Sequence, residues 1–324
     1  MAIDIEKARA AQERRNARKR EVRAMAKVEP HPVCSEILPS PDLTAVELIS
    51  RLKEDFTRIQ NYEERLKLVS KSIDIKGPIG ILAMGDPHCD DAGCDWPALD
   101  RDIQLVRNTT GLYAGLPGDM TNNWIGKLAH LWSQQSTTAK QAIVLGTYIV
   151  EQLAPKLLYM VAGNHNCWSG DNDPFAWIAQ QNQVDYQPHE VRMTLKLPEC
   201  RLITMNIRHD FKGGSMWNPI HSIAKAFQMG HRDDIIIGAH KHMSAHMELK
   251  DPDSDRICNL IQVASYKRYD DYAKKGGFKD QHISPCGVII IDPYVKEPNR
   301  FIKFFWSSID GAEYLTFLRK KYGV

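Results

Sequence analysis

The feature that most constrains this chain is a series of five polar clusters, each directly after a short apolar run. The clusters are Gly85-Asp86-Pro87-His88, Gly118-Asp119, Gly163-Asn164-His165, Arg208-His209-Asp210 and Gly238-Ala239-His240-Lys241-His242. The apolar runs have the length of buried strands, and helical patterns separate the first three. In open α/β sheets, ligands bind beyond the carboxyl ends of the strands, where such loops converge. We therefore expect the clusters to form one site at the edge of a layered α/β fold.

Strand and helix patterns predict the elements that carry these clusters. Strands are predicted over 79–84, 112–116, 157–161, 191–197, 201–207, 235–237, 257–264, 288–292 and 301–306, and helices over 97–107, 124–153, 174–183 and 220–229. Early strand–helix alternation followed by consecutive strands predicts an α/β domain with a mixed sheet. Upstream, Ser40-Pro41-Asp42 is a helix start, and apolar residues spaced by three and four predict an amphipathic helix to about Ser70.

The chain's charge is distributed unevenly, although its formal net charge is only +2 over 324 residues. Residues 1–27 carry nine Lys/Arg and four Asp/Glu, a local charge of +5, so the remainder sums to −3. We predict two parts, a basic N-terminal arm plus amphipathic helix over 1–76 and a domain over 77–324. The arm either holds a polyphosphate through salt-sensitive contacts or is a solvated tail.

The cysteines and the apolar segments predict a cytoplasmic protein. Seven cysteines are present without a Cys-x-x-Cys pair, which indicates reduced thiols. No uninterrupted apolar stretch reaches the length of a membrane-spanning helix, and the N-terminus lacks the apolar core of a secretion signal. We therefore expect no membrane association.

The residue types in the five clusters are those of metal ligation. Carboxylate, imidazole and amide donors together suit manganese, iron, zinc or nickel better than calcium or magnesium alone. Seven such donors are too many for one tetrahedral ion but suit two ions that share a carboxylate.

In order and spacing, the clusters resemble the calcineurin-like metallophosphoesterase superfamily, whose motifs are Asp-x-His, Gly-Asp-x-x-Asp, Gly-Asn-His, a later His and Gly-His-x-His. The resemblance implies a four-layer α/β/β/α sandwich with two divalent ions at its edge, manganese first and iron, zinc or nickel as alternatives. It implies that Asp86, His88 and His242 hold one ion and that Asn164, His209 and His240 hold the other. Asp119 would bridge the two ions, and His165 would be the catalytic acid.

The chain departs from the family pattern at three places. Asn122 replaces the second Asp of Gly-Asp-x-x-Asp, so we expect it to hydrogen-bond His165 without contributing charge. Asn166 replaces the usual acid after Gly-Asn-His, and Ala239 is inserted before the His-x-His pair. An Arg does not follow Asn122, which makes a phosphoprotein substrate less expected.

The resemblance implies a phosphoric ester hydrolase that uses metal-activated hydroxide. The leading hypothesis is a nuclease or phosphodiesterase acting on nucleic acid, similar to the compact phosphodiesterases and repair exonucleases of bacteria and phages, in a bacterial or phage-infected cell. Lys212 and Trp168 are weaker candidates for contacts with the substrate. One alternative is a phosphatase or phosphodiesterase for small or cyclic nucleotides. A second is a non-catalytic scaffold that binds a protein partner through the N-terminal helices.

Overall fold

A computed structural model describes residues 43–66, 68–168, 173–277, 279–280 and 284–324. The chain divides into two compact units, Met1–Arg65 and Leu66–Val324. The basic arm over 1–27, the linker over 28–41 and the predicted helix start at Ser40-Pro41-Asp42 lie outside the described residues. The second unit includes residues before Gly77, and the division at 76/77 stays a prediction.

In the described part of the first unit, one helix, α1, spans Ala45–Leu66. Thr44 and Glu47 cap it reciprocally: the Thr44 N–H donates to the Glu47 carboxylate at 2.8 Å, and the Glu47 N–H donates to the Thr44 hydroxyl at 3.4 Å. The predicted continuation to Ser70 is wrong, because residues Val69–Ser72 instead form strand β1 and pair with another strand. Strand pairing outweighs the local helical pattern there.

The second unit contains two six-stranded sheets. Sheet A consists, in order, of β1 (Val69–Ser72), β6 (Glu190–Lys196), β7 (Ile203–Arg208), β8 (Ile235–Gly238), β10 (Ile257–Gln262) and β9 (Ala245–Lys250). Sheet B consists of β12 (Ile302–Phe305), β11 (Cys286–Ile291), β2 (Ile79–Met84), β3 (Leu112–Leu116), β4 (Leu157–Val161) and β5 (Tyr186–Gln187). Strands β2, β3 and β4 are parallel, and so are β7, β8 and β10, so each set ends at one edge of its sheet.

Helices accompany the two sheets. They are α2 (Trp96–Asn108), α3 (Ala139–Leu153), α4 (Asn164–Cys167), α5 (Pro174–Gln181), α6 (His221–Met229), α7 (Asp271–Lys275), α8 (Pro298–Phe301) and α9 (Ser308–Tyr322), with 3₁₀ segments at Gly126–Gln134 and Ala154–Lys156. The helix predicted over 124–153 is thus two elements. Its second part begins at Thr138, where a capping box with Gln141 starts a new helix.

Three apolar clusters show how the layers stack. Alternation along β2 sends Ile79 and Ile81 into a cluster with residues of sheet A, whereas Leu82 and Met84 face helices α2, α3, α5 and α9. A third cluster joins α6 to β8 and β10 on the outer face of sheet A, centred on Ile223. The order is therefore helices, sheet B, sheet A, helix, which confirms the predicted four-layer α/β/β/α sandwich.

The described cysteine side chains are free thiols, as expected: Cys89, Cys94, Cys200, Cys258 and Cys286. Burial raises the pKa of the Cys200 and Cys258 thiols to about 11, so both are protonated at neutral pH. Among the described helices, none has both the length and the apolar character needed to cross a bilayer.

Candidate metal centre

The five polar clusters lie at the carboxyl ends of five strands, three from sheet B and two from sheet A. Backbone contacts hold the loops together. The His88 N–H donates to the Asp119 carbonyl at 3.1 Å, and the Ala239 N–H donates to the His209 carbonyl at 2.9 Å. The Asp86 carboxylate joins the two sheets, because its Oδ2 accepts the His240 N–H at 2.9 Å. The parallel sheet edges thus bring residues far apart in sequence to one place.

Three groups of donor side chains occur at this edge, and the donor atoms within each group lie within 4.8 Å of one another. The groups are Asp86 with His88 and His242; His88 with Asp119 and His165; and Asp119 with His209 and His240. The first group is the set expected for one ion. The third contains the expected bridging carboxylate and two expected ligands of the second ion, and Asn164 Oδ1 lies 3.0 Å from His209 Nε2. The structure therefore brings all seven sequence-predicted donors together.

Unsatisfied polar atoms show that these residues fit cations. His88 is 2% exposed, yet neither of its ring nitrogens has a hydrogen-bond partner among the described residues, and Asp86 Oδ1 also lacks one. Leaving a buried polar group unpaired costs about 1–3 kcal/mol. Burial, reinforced by repulsion from His165 and His242, holds the pKa of His88 well below its ordinary value. Its imidazole is therefore neutral, the form that ligates a metal.

His209 lies between two carboxylates in this structure. Its Nε2 is 3.2 Å from Asp119 Oδ2, and its Nδ1 is 3.5 Å from Asp86 Oδ1. Burial alone would lower the pKa of His209, but the charges of Asp119 and Asp86 outweigh it and raise that pKa well above its ordinary value. Burial alone would raise the pKa of Asp86, but His209 and His242 hold it well below its ordinary value. A proton on His209 therefore balances the carboxylates when no cation does.

Three of the candidate ligands have left-handed backbone conformations. The φ angles are +39° at His88, +67° at His240 and +50° at His242. Such angles are uncommon outside glycine and cost of the order of 1–3 kcal/mol each, so they persist only where the surroundings impose them. Strain of this kind concentrates at functional sites. Here all three strained residues belong to the donor groups.

Two glycines leave room for the carboxylates. A Cβ atom on Gly118 would lie 1.9 Å from Asp86 Oδ1, and one on Gly163 would lie 1.8 Å from Asp119 Oδ1. Both distances are far inside van der Waals contact, so a side chain at either position must displace a candidate ligand. The Gly-Asp and Gly-Asn-His patterns therefore reflect packing of one loop against the carboxylate of another.

His165, the predicted catalytic residue, lies beside Asp119. Its backbone N–H donates to Asp119 Oδ1 at 2.9 Å, and its Nε2 lies 3.7 Å from Asp119 Oδ2. Its Nδ1 contacts the main-chain carbonyl of Asn122. Because a carbonyl oxygen only accepts, Nδ1 carries a proton and Nε2 is the atom presented to the site.

Asn122 contacts His165 through its main-chain carbonyl and not through its side chain. We expected the Asn122 side chain to make it, but that amide instead donates from Nδ2 to Asp91 Oδ2 at 2.7 Å. The backbone N–H of Asn122 donates to Asp90 Oδ1 at 2.8 Å. Asp91 also pairs with the buried Lys267, whose Nζ lies 3.0 Å away.

Sequence reasoning did not assign these three supporting residues to the site. The run of acids directly after the Asp-x-His motif was the available signal for Asp90 and Asp91. In sequence, such a run is indistinguishable from a solvated loop. Lys267 lies in a distant segment whose charges alternate in sign, so nothing local marks it as buried.

The two weaker substrate candidates have different surroundings. The Trp168 ring centroid is 4.1 Å from that of His165, with the planes tilted by 40°, so Trp168 lies against the predicted catalytic ring. Lys212 is exposed on the loop after β7, and its role as a substrate contact stays a prediction. Lys241, between the two histidines of the last cluster, contacts Ser222 and lies 3.7 Å from Asp210.

No family model and no curated protein matches this chain. Among solved structures it is similar to TT1561 of Thermus thermophilus, with 11% identity, 70% of this chain and 98% of that one covered, and a TM-score of 0.40. It is similar to a conserved uncharacterized protein, a predicted phosphoesterase, from Streptococcus pneumoniae, with 10% identity, coverage of 71% and 99%, and a TM-score of 0.32. For Chaetomium thermophilum Vps29 the identity is 12%, the coverage 70% and 91%, and the TM-score 0.34. Similarity at this level assigns no function to the chain.

Proposed function

We propose that this chain is a dimetal phosphoesterase that hydrolyses phosphodiester bonds of nucleic acid. The observation that carries the proposal is the sharing of donors: Asp119 belongs to two of the three donor groups, and so does His88. The group of His88, Asp119 and His165 therefore links the other two groups, so the two sets of donors that would hold the two ions are neighbours. Paired sites of this kind are typical of phosphatases and nucleases.

The donor set indicates how the ions would be held. Asp86, His88 and His242 would hold one ion, Asn164, His209 and His240 the other, and Asp119 both. Imidazole and carboxylate donors without thiolate favour manganese, with iron, zinc or nickel as alternatives. Divalent cations held there would supply Lewis-acid activation of water and neutralise charge on the phosphoryl group.

His165 would act as the general acid. Its Nδ1 is occupied by the Asn122 carbonyl, and its Nε2 lies on the side of Asp119, where the phosphate would bind. A protonated Nε2 would donate to the oxygen of the leaving alcohol. The rings of Trp168 and Trp124, with centroids 4.1 and 5.4 Å away, restrict the imidazole to one orientation.

Two features favour nucleic acid over a phosphoprotein. The arginine that follows the second Asp in protein phosphatases of the family is absent after Asn122. The basic arm over 1–27 could make phosphate contacts that do not depend on sequence.

A substrate panel tests the proposal. Protein loaded with manganese, iron, zinc or nickel is assayed on bis-p-nitrophenyl phosphate, p-nitrophenyl phosphate, cyclic nucleotides, and single- and double-stranded DNA and RNA. We expect hydrolysis of the diester and of at least one polynucleotide. Turnover of the monoester alone would refute the nuclease function, and turnover of cyclic nucleotides alone would favour the small-nucleotide alternative.

Matched variants locate the activity. His240→Ala removes a candidate ligand, whereas His130→Ala removes an exposed histidine outside the donor groups. We expect the first to abolish turnover and the second to preserve it. Deletion of residues 2–27 should weaken polynucleotide binding and reduce its salt dependence without changing hydrolysis of the small diester. Absence of turnover with every metal would leave the scaffold alternative.

A further inference from the structure

A cavity of about 340 Å³ lies directly beside the candidate metal centre. His240 and His242, one candidate ligand from each ion site, form part of its wall. Met243, Arg268 and Ala273 also line it. Because the two histidines belong to both the wall and the donor groups, any group that fills this cavity is adjacent to a phosphate bound at the ions.

The size of the cavity limits what it can hold. Pockets for small organic ligands span about 300–1,000 Å³, so this one lies near the lower end. It suits a single ring system with a sugar and does not suit a folded protein surface. A longer polymer could place only one of its units inside.

The lining limits the chemistry of the occupant. Six of the ten lining residues are charged, four cations and two acids, while most of the surface that the wall turns toward the cavity is apolar. Cations offer donors and carboxylates offer acceptors, and the edges of a nucleobase present both kinds of partner. Met243 and Ala273 add apolar surface for the faces of a ring, and Arg guanidinium planes stack on bases.

The charged groups of the wall are held in place before any ligand binds. Lys267 is 5% exposed, and its Nζ lies 3.0 Å from Asp91 and 3.1 Å from Asp270. Arg268 Nε lies 2.7 Å from Asp95 Oδ2. Side chains fixed in this way lose little conformational entropy on binding, so the cavity is preorganised.

We propose that this cavity binds the nucleoside on one side of the scissile phosphate, so that the substrate is a nucleoside phosphodiester. The proposal rests on the phosphodiesterase function above and extends it by naming the group recognised. It assigns Ala273, on α7, as a residue that sets the space available to the base. Ala273 is outside the donor groups, so filling the space there should spare the hydrolytic chemistry.

Two substrates with the same leaving group separate recognition from chemistry. One is methyl p-nitrophenyl phosphate, and the other is thymidine 5′-(p-nitrophenyl phosphate). We expect wild-type kcat/KM to be about 10- to 100-fold higher for the thymidine ester, because the nucleoside contributes binding energy that the methyl group lacks. We expect Ala273→Phe to remove most of that preference while leaving kcat/KM for the methyl ester within about twofold.

A binding measurement gives a readout that does not depend on turnover. Calorimetry with thymidine 5′-monophosphate should show affinity about 10-fold or more weaker for Ala273→Phe than for wild type. Ala139→Phe adds the same ring at an exposed position of α3 and should match wild type in both assays. Ala273→Leu adds a smaller side chain and should give an intermediate loss of nucleotide affinity. It provides a second test in case the phenylalanine variant does not fold.

The outcomes distinguish the two proposals. Failure of wild type to hydrolyse either ester refutes the phosphodiesterase function. Hydrolysis of both esters with equal kcat/KM refutes the nucleoside site and leaves the phosphodiesterase intact. Equal losses on both esters in Ala273→Phe, or unchanged nucleotide affinity, would likewise overturn the nucleoside site.

Discussion

Asn122 holds the Nδ1 atom of His165 through its main-chain carbonyl, while its side chain donates to Asp91. The orientation of the candidate acid therefore depends on the shape of the 119–123 turn and only indirectly on the side chain at position 122. Asp90 and Asp91 fix that turn by accepting hydrogen bonds from the Asn122 N–H and amide. Two carboxylates thus support the ring of this candidate acid without contacting it.

The first prediction concerns the amide–carboxylate pair of Asn122 and Asp91. Asn122→Asp would place a second carboxylate where the amide now donates at 2.7 Å, so like charges would meet. We expect a loss of about 1–3 kcal/mol in the free energy of unfolding, measured by urea titration. The swap Asn122→Asp with Asp91→Asn restores a donor and an acceptor at this contact but removes the Asp91–Lys267 ion pair, so it should be more stable than the two single effects added together predict, without reaching wild type. If the unfolding free energy of the double variant is no higher than the two single-variant effects added together predict, the pairing of Asn122 with Asp91 is contradicted.

The second prediction concerns the space that Gly118 leaves. Gly118→Ala would bring a Cβ atom to 1.9 Å from Asp86 Oδ1 and 2.3 Å from His209 Nδ1. Both are candidate ligands, so we expect metal affinity to fall about 100-fold, measured by competition with a chelating dye. In Gly214→Ala the nearest atom would be 3.6 Å away, an ordinary contact, and affinity should stay at the wild-type value. Equal affinities in the two variants would show that the Gly118 loop adapts freely.

The third prediction concerns metal stoichiometry. Asp119 belongs to two donor groups, and His242 belongs to one. Elemental analysis after dialysis should find about two ions per wild-type chain, about one in His242→Ala and close to none in Asp119→Ala. His130→Ala, at an exposed histidine, should retain both ions. Full occupancy in Asp119→Ala would rule out a shared carboxylate.

The fourth prediction concerns the pH dependence of the metal-free protein. The neighbouring carboxylates raise the pKa of His209 in the folded state. The stabilisation that results is fully present below the ordinary imidazole pKa of about 6.5 and is lost as pH rises through the raised value. In EDTA, the advantage of wild type over His209→Asn in unfolding free energy should therefore shrink as pH rises above about 6.5.

The same proton competes with a metal ion. Metal binding should release protons, and metal affinity should increase with pH over this range. A difference between wild type and His209→Asn that stays constant with pH would show that His209 is not protonated in the metal-free site.

The core of the fold was predictable because its strands are uniformly apolar. The predicted bounds of β2, β3 and β4 coincide with the observed ones, since buried central strands must be apolar on both faces and end at polar turns. Edge strands β1 and β9 were missed, because their half-exposed residues carry no continuous apolar run. Helix α9 was missed because it buries only a narrow stripe that includes Leu315 and Leu318.

The sequence allowed the candidate donor residues of the site to be predicted, but not the contacts that position them. Donor residues after strands must converge in a parallel arrangement, so all seven donors could be named from sequence. The contact between the Asn122 carbonyl and His165 could not be predicted. Every residue has a main-chain carbonyl, so the residue type at position 122 does not indicate such a contact.

The candidate ligands come from five loops that end strands of both sheets, so each local segment supplies only part of a site. An ion bound there would interact with the assembled sandwich and hardly at all with the unfolded chain, and would stabilise the folded state by mass action. Metal occupancy at limiting concentration would then report the native population of the whole unit. A substitution deep between the sheets, far from any donor, could mimic a defective ligand simply by lowering that population.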